Sequence, residues 1–221
     1  MLDWYTAARR LALSVDIVNE RSDLSQYDVV LIPALPVVPD GLIARLQARP
    51  EAHVIIGPRT GCRTPEFQIP SVLAPGPLQV LMPVKVAASE SLPDFATVEG
   101  HLHGQAVTGR LWRDLVQTEL RAEATDLDGY GMLYRKDNVR LFTTVPDHTF
   151  LTRVLQAACL EAGIPTTMLP EGLRIRRDGD EIFAVNYAPV PAAVPAALRR
   201  GEPTLGRWWL PPGGVTRWRA T

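Results

Sequence analysis

Apolar positions along this chain follow two periods, and the change from one to the other divides it. Near the N-terminus Trp4, Ala8 and Leu11 recur at helical spacing with Tyr5 and Ala12 beside them. "MLDWYTAARRLAL" therefore predicts a helix, with Asp3 as its cap. "SVDIV", residues 14–18, reads as a short strand. Val29 to Ile32, inside "DLSQYDVVLIPAL", is a continuous apolar run, the pattern of a strand buried on both faces. Pro39 and Asp40 open a helix over "GLIARLQAR", which places Leu42, Ile43 and Leu46 on one face. "HVIIG", from His53, is a second buried strand. This strand–helix–strand rhythm predicts a parallel sheet covered by helices.

After Pro83 the period falls to two. "VKVAASE", "ATVEGHLHGQAV", "TGRLW" and "LRAEATD" alternate as half-exposed antiparallel strands do. "GMLYRKDNVRLFTTV" predicts a hairpin about Lys136, Asp137 and Asn138. "DHTFLTRVLQAACLEAGI" is the clearest helix. Asp147 stands at its start, Phe150, Leu151, Val154, Leu155, Ala158 and Cys159 share a face, and Gly163 follows its end. A boundary falls in "PTTMLPEG", residues 165–172. Beyond it "LRIRRDGDEIFAVNYAP" is a hairpin turning at Asp178, Gly179 and Asp180, and "WWLPPGGVTRWRA" supplies the last strands. The predicted organisation is an α/β domain over 1–168 and a small antiparallel β domain over 169–221.

Composition adds bounds rather than identity. The 221 residues are 46% hydrophobic and 21% charged, ordinary for a globular chain with a sizeable core. Lys and Arg number 23 against 24 Asp and Glu, so no charge excess points to nucleic acid or an anionic membrane. No apolar run is long enough to cross a bilayer, and the first residues lack the apolar core of a signal peptide. Cys62 and Cys159 match no zinc spacing and are read as free thiols of a reducing cytoplasm. The 20 prolines cluster in connections between short elements.

The order of several segments carries a resemblance. "LDWYTAARRLALSVDIV", "DLSQYDVVLIPAL", "HVIIGPRTG" and "GPLQVLM" look like the trimerisation domain of glycoside hydrolase family 42 β-galactosidases. "PEGLRIRRDGDEIFAVNYAP" through "LPPGGVTRW" looks like the small C-terminal β domain of the same enzymes. The resemblance is strongest in residues 2–82 and 170–188 and loose between 95 and 130. It implies a flavodoxin-like α/β sheet, similar to class I glutamine amidotransferases, with helices on both faces and antiparallel additions. In that family a (β/α)₈ barrel with the catalytic glutamates precedes these parts, and no such eightfold pattern occurs here. The resemblance thus implies a non-catalytic role: self-association, in that family as a trimer, and support of a barrel. No cofactor enters this reading.

Several residues offer candidate chemistry. The loop "GPRTGCRTPEFQIP" follows a buried strand, where α/β sheets place ligands. A Cys62 nucleophile needs small flanking residues on a tight elbow and a base within reach; Arg63 and Pro65 follow it, and no His–x–Glu context is present. Gly57 to Gly61 lacks the Lys and Ser/Thr of a Walker loop. Glu99, His101 and His103 alternate along one strand face, about 6.5–7 Å apart, and form a weak metal candidate; the polar outer face of an antiparallel sheet is the default reading. Asp126 and Asp128 sit in the turn "TDLDGYG". Of Trp208 and Trp209, adjacent on a strand, at most one can form an exposed sugar platform. The loop is therefore read as a docking segment, with Arg59, Arg63, Phe67 and Ile69 as interface candidates. A Cys62 hydrolase and a carbohydrate-binding module are the alternatives.

Overall fold

The continuous apolar runs become the parallel part of a mixed sheet. The computed structural model describes residues 1–220. In chain order its elements are α1 (Leu2–Arg10), β1 (Val29–Ile32), α2 (Leu42–Gln47), β2 (His53–Ile56), β3 (Lys85–Ser91), β4 (Thr97–Leu102), β5 (Gln105–Gln117), β6 (Ala122–Asp126), β7 (Gly131–Lys136), β8 (Val139–Phe142), β9 (Thr144–Pro146), α3 (His148–Glu161), β10 (Leu173–Asp178), β11 (Glu181–Asn186), β12 (Ala192–Ala193), β13 (Trp209–Leu210) and β14 (Val215–Arg219). By their contacts these fall into two units. One holds Val18–Val154 with Met1; the other holds Leu2–Ile17 and the chain from Leu155.

The first unit is built on a nine-stranded sheet of order β1-β2-β8-β7-β6-β4-β5-β3, with β9 also on β5. β1, β2 and β8 run parallel, and the remaining pairs are antiparallel. β2 is buried along its whole length because it lies between two parallel neighbours. Val54, Ile56, Leu42, Leu46, Leu78 and Met82 form the core around it. Leu102 pairs with Gln105, which leaves His103 (φ 49°) and Gly104 (φ 79°) as the connection between β4 and β5. Two successive left-handed residues match the right-handed twist of the flanking strands. β5 changes partner partway: residues up to Arg110 pair with β4 and those from Trp112 pair with β3. The switch falls at Leu111, at φ 62°, where the pairing with β9 also slips. A bulge of this kind bends a strand and increases its twist, so the sheet curls.

Asp147 caps α3 as expected: its Oδ1 accepts from the Phe150 N–H at 2.7 Å. Gly163, at φ 71°, ends the helix with the Ile164 N–H bonded to the Cys159 carbonyl at 2.8 Å. Residues 14–18, by contrast, form no strand. Ile17 and Val18 are exposed there, and the chain runs into a turn in which Asn19 Oδ1 accepts from the Arg21 N–H at 2.8 Å. Alternation alone cannot make a strand without a neighbour to complete its hydrogen bonds.

The second unit has a three-stranded sheet, β10-β11-β14, and the short β12–β13 ribbon. Leu169, Leu173, Ala184, Val194, Leu210 and Trp218 form its core. Trp208 packs edge-on against Trp218 with centroids 5.1 Å apart. α1 belongs to this unit. The Thr167 and Leu169 N–H groups bond to the Leu11 and Arg10 carbonyls at 3.1 and 2.8 Å, and Arg10 pairs with Glu171. The segment read from sequence as a domain boundary is thus where the chain returns to its first helix.

Asn186, fully buried, ties this unit together. Its Nδ2 donates to the Val190, Leu210 and Pro211 carbonyls at 2.9, 3.1 and 3.2 Å, and its Oδ1 accepts from the Ala188 N–H at 3.0 Å. Asn186→Ala is expected to destabilise the unit by about 2–4 kcal/mol, because buried groups lose their partners with nothing to replace them. Chemical denaturation followed by tryptophan fluorescence measures the shift.

Candidate assembly surface at the carboxyl ends of the parallel strands

Because β1 and β2 are adjacent and parallel, the loops that follow them leave the same edge of the sheet. These loops are fastened to each other. The Gly57 N–H donates to the Ile32 carbonyl at 2.8 Å, Gly61 N–H to Leu35 O at 2.9 Å and Arg63 N–H to Pro36 O at 2.9 Å. Thr60 Oγ1 donates to the Gly57 carbonyl at 2.9 Å and accepts from the Leu35 N–H at 3.3 Å. Gly61 is required here: its φ is 69°, and a Cβ would lie 2.1 Å from the Pro75 carbonyl oxygen.

Between the two loops runs an open groove of about 830 Å³. Leu35, Val37 and Val38 line one side, and Pro65 and Phe67 the other; Glu20, Arg21, Asp40 and Arg45 form the rim. Phe67 is held on a small turn: its N–H donates to the Thr64 carbonyl at 2.9 Å, and the Thr64 N–H donates to the Gln68 carbonyl at 2.9 Å. It adopts φ 63°, uncommon for an aromatic residue, and is 69% exposed. Ile69 is 75% exposed, and Val72 is also outside. Three exposed apolar side chains in one loop, beside an apolar groove, have the character of an interaction surface.

The other sequence candidates are placed differently. Arg59 turns away from the groove and lies over the Trp112 ring at 4.9 Å. The Arg63 guanidinium donates back to the Cys62 carbonyl at 2.8 Å. Within the Gly57–Gly61 loop the non-glycine residue in the left-handed region is Arg59, at φ 66°, so the strained position of an elbow is held by an arginine and not by Cys62. Behind Arg59 the cavity is only about 10 Å³, room for about one water. Asp126 serves its turn, with Oδ1 accepting from the N–H groups of Asp128 and Tyr130 at 3.0 and 2.7 Å and Oδ2 from Arg113 at 3.2 Å. Glu99 accepts from Thr108 Oγ1 at 3.1 Å, while His103 is in the turn beyond the strand. Among the described residues no three His, Cys, Asp or Glu side chains converge as metal ligands. Trp209 is exposed, whereas Trp4 and Trp218 are buried.

Two features escape sequence reading. The far wall of the groove comes from "PALPVVPD", whose only signal is apolar residues persisting past the end of a buried strand. The second is Asp114, buried on β5 beneath the loop. Its Oδ1 accepts from Ser89 Oγ at 2.6 Å and from Trp112 Nε1 at 2.7 Å, and the carboxylate also takes the Arg59 backbone N–H. It thereby sets the ring on which Arg59 rests.

A mixed sheet carries, at the ends of its parallel strands, two joined loops with an apolar groove between them. A family model described as β-galactosidase trimerisation domain matches residues 1–165, and the chain belongs to that family. A β-galactosidase of Thermus thermophilus is 41% identical over 196 residues, which cover 88% of this chain and 30% of that protein. Among solved structures, the β-galactosidase of the psychrophilic Marinomonas ef1 matches with a TM-score of 0.94 at 31% identity, over 100% of this chain and 33% of that one. The polyextremophilic β-galactosidase of Halorubrum lacusprofundi shares the fold, with a TM-score of 0.90 at 24% identity over 99% of this chain and 35% of that one. The chain thus spans about a third of the length of these relatives.

Burial pushes the Asp114 carboxyl above its ordinary value of 3.8, against the hydrogen bonds from Ser89, Trp112 and the Arg59 amide. A carboxyl with a raised pKa binds its proton more readily folded than unfolded, so its contribution to stability falls as pH rises from 3.8 through the raised value. Denaturation midpoints of the parent chain, relative to those of Asp114→Asn, are expected to fall across that window; a rising difference contradicts the assignment.

Proposed function

We propose that this chain is the non-catalytic assembly portion of a β-galactosidase-like glycoside hydrolase. In this role it associates with copies of itself as a trimer and supports the catalytic barrel of the parent protein. The observation that carries the reading is the apolar groove with its exposed Phe67–Val72 loop, on a chain whose family is named for trimerisation. The parent enzyme hydrolyses terminal β-D-galactosides, in line with the β-galactosidases that the chain resembles. The fold is of the flavodoxin-like kind, supported by the parallel β1–α2–β2 unit, with the antiparallel strands as additions. Among the described residues no helix is long and apolar enough to cross a membrane.

Sedimentation equilibrium of the isolated chain is expected to give a mass three times that of the monomer at high concentration, falling as the protein is diluted. The same preparation is expected to leave a chromogenic β-galactoside unhydrolysed. A strict monomer at all concentrations refutes self-association, and turnover that follows the protein through repeated purification refutes the non-catalytic role.

A further inference from the structure

Arginines gather on the outer face of the second unit. Leu173 and Ile175 belong to its core, so Arg174 and Arg176 stand on the opposite face of β10. Their neighbours across the pairing with β11 are Val185 and Phe183, which carry no charge. α1 packs against β10 and brings a third guanidinium, that of Arg9. Tyr5 lies one turn before Arg9 on the same side of the helix. The Tyr187 N–H donates to the Gly172 carbonyl at 2.9 Å, which sets this exposed aromatic beside the start of β10.

Arg9 is buried, at 8% exposure, yet its Nη1 finds only a carbonyl, that of Leu13 at 2.8 Å. Burial pushes this guanidinium below its ordinary pKa; the Tyr5 phenol opposes the shift, and the charges of Arg176 and Arg174 add to it. The nearby carboxylates are engaged elsewhere. Glu171 pairs with Arg10, and Glu181 pairs with Arg217 at 3.4 Å. Asp178 closes β10 at the hairpin turn. Among the described residues neither it nor any other carboxylate forms an ion pair with Arg9, Arg174 or Arg176.

Three like charges within reach of one another, one of them buried, raise the energy of the free protein. An anion bound among them removes that cost. The planar forks of arginine fit the paired oxygens of phosphate and carboxylate groups. A threefold charge with no counter-charge favours a dianion with several acceptor oxygens over a single carboxylate. We infer that Arg9, Arg174 and Arg176, with the Tyr5 and Tyr187 phenols as further donors, form a binding site for a phosphate-type oxoanion. The site lies wholly within the second unit and does not depend on self-association.

The test titrates the full chain with inorganic phosphate, at an ionic strength held constant with sodium chloride. Calorimetry reads binding, and the chemical denaturation midpoint reads stability. The parent chain is expected to bind one phosphate, and its midpoint is expected to rise with phosphate concentration. Arg174→Gln and Arg176→Gln are each expected to weaken phosphate binding about tenfold, the loss of one charge-assisted contact. In chloride alone neither is expected to lower the midpoint, because each relieves repulsion of Arg9; a merely structural arginine would lower it. Arg200→Gln makes the same charge change at an exposed arginine whose guanidinium bonds to the Ala197 carbonyl at 3.1 Å, and it is expected to bind phosphate as the parent does. Three results overturn the inference. Phosphate acts no differently from chloride, which is screening; succinate binds where phosphate does not, which makes the site one for carboxylates; or Arg174→Gln and Arg176→Gln bind phosphate as tightly as the parent, which places the anion elsewhere.

Discussion

The parallel pairing of β1 with β2, Val29 on His53 through Ile32 on Ile56, determines where the groove of the first unit is built. Parallel neighbours send both following loops off the same edge, and four hydrogen bonds then hold those loops together. Gly61 makes that junction possible, since any side chain there would strike the Pro75 carbonyl. Everything on the surface follows from this geometry. Leu35 to Val38 end up facing Pro65 and Phe67, with an open apolar channel between them. A looser junction would let these residues collapse on one another, and the groove would close.

Magnitudes separate the two kinds of candidate on this loop. Burying a Phe side chain contributes about 1.5–3 kcal/mol. An exposed cation–π pair such as Arg59 on Trp112 contributes about 0.5–1 kcal/mol, and it is already formed within the unit. Arg63 likewise bonds to its own loop. The arginines therefore make contacts within the unit, while Phe67 and its apolar neighbours leave apolar surface uncovered. Association driven by a few apolar contacts depends on protein concentration.

Much of the fold was legible because it is written in local periodicity. The buried runs at Val29 and His53, the capped helix after Asp147 and the hairpin turn about Lys136 to Asn138 each depend on a handful of adjacent residues. What was not legible depends on residues far apart. Val15 to Val18 alternate like a strand but find no neighbour. α1 joins the second unit through hydrogen bonds to Thr167 and Leu169, more than 150 residues away, and nothing in its own pattern says so. Phe67 was visible in the sequence as an apolar residue in a polar loop. The wall it faces was not, because Leu35 and Val38 look like the tail of a strand until the sheet places them. Asp114 looked like any polar residue on an alternating strand; only the curl of β5 brings it beneath Arg59.

Amide hydrogen exchange at two protein concentrations tests the central claim, that the parallel-strand loops of this chain form an assembly surface. On raising the concentration through association, amides in 35–40 and 64–69 are expected to gain protection, while those of β10 and β11 keep the same rates. Protection that appears only in the second unit, with the two loops unchanged, would contradict the account.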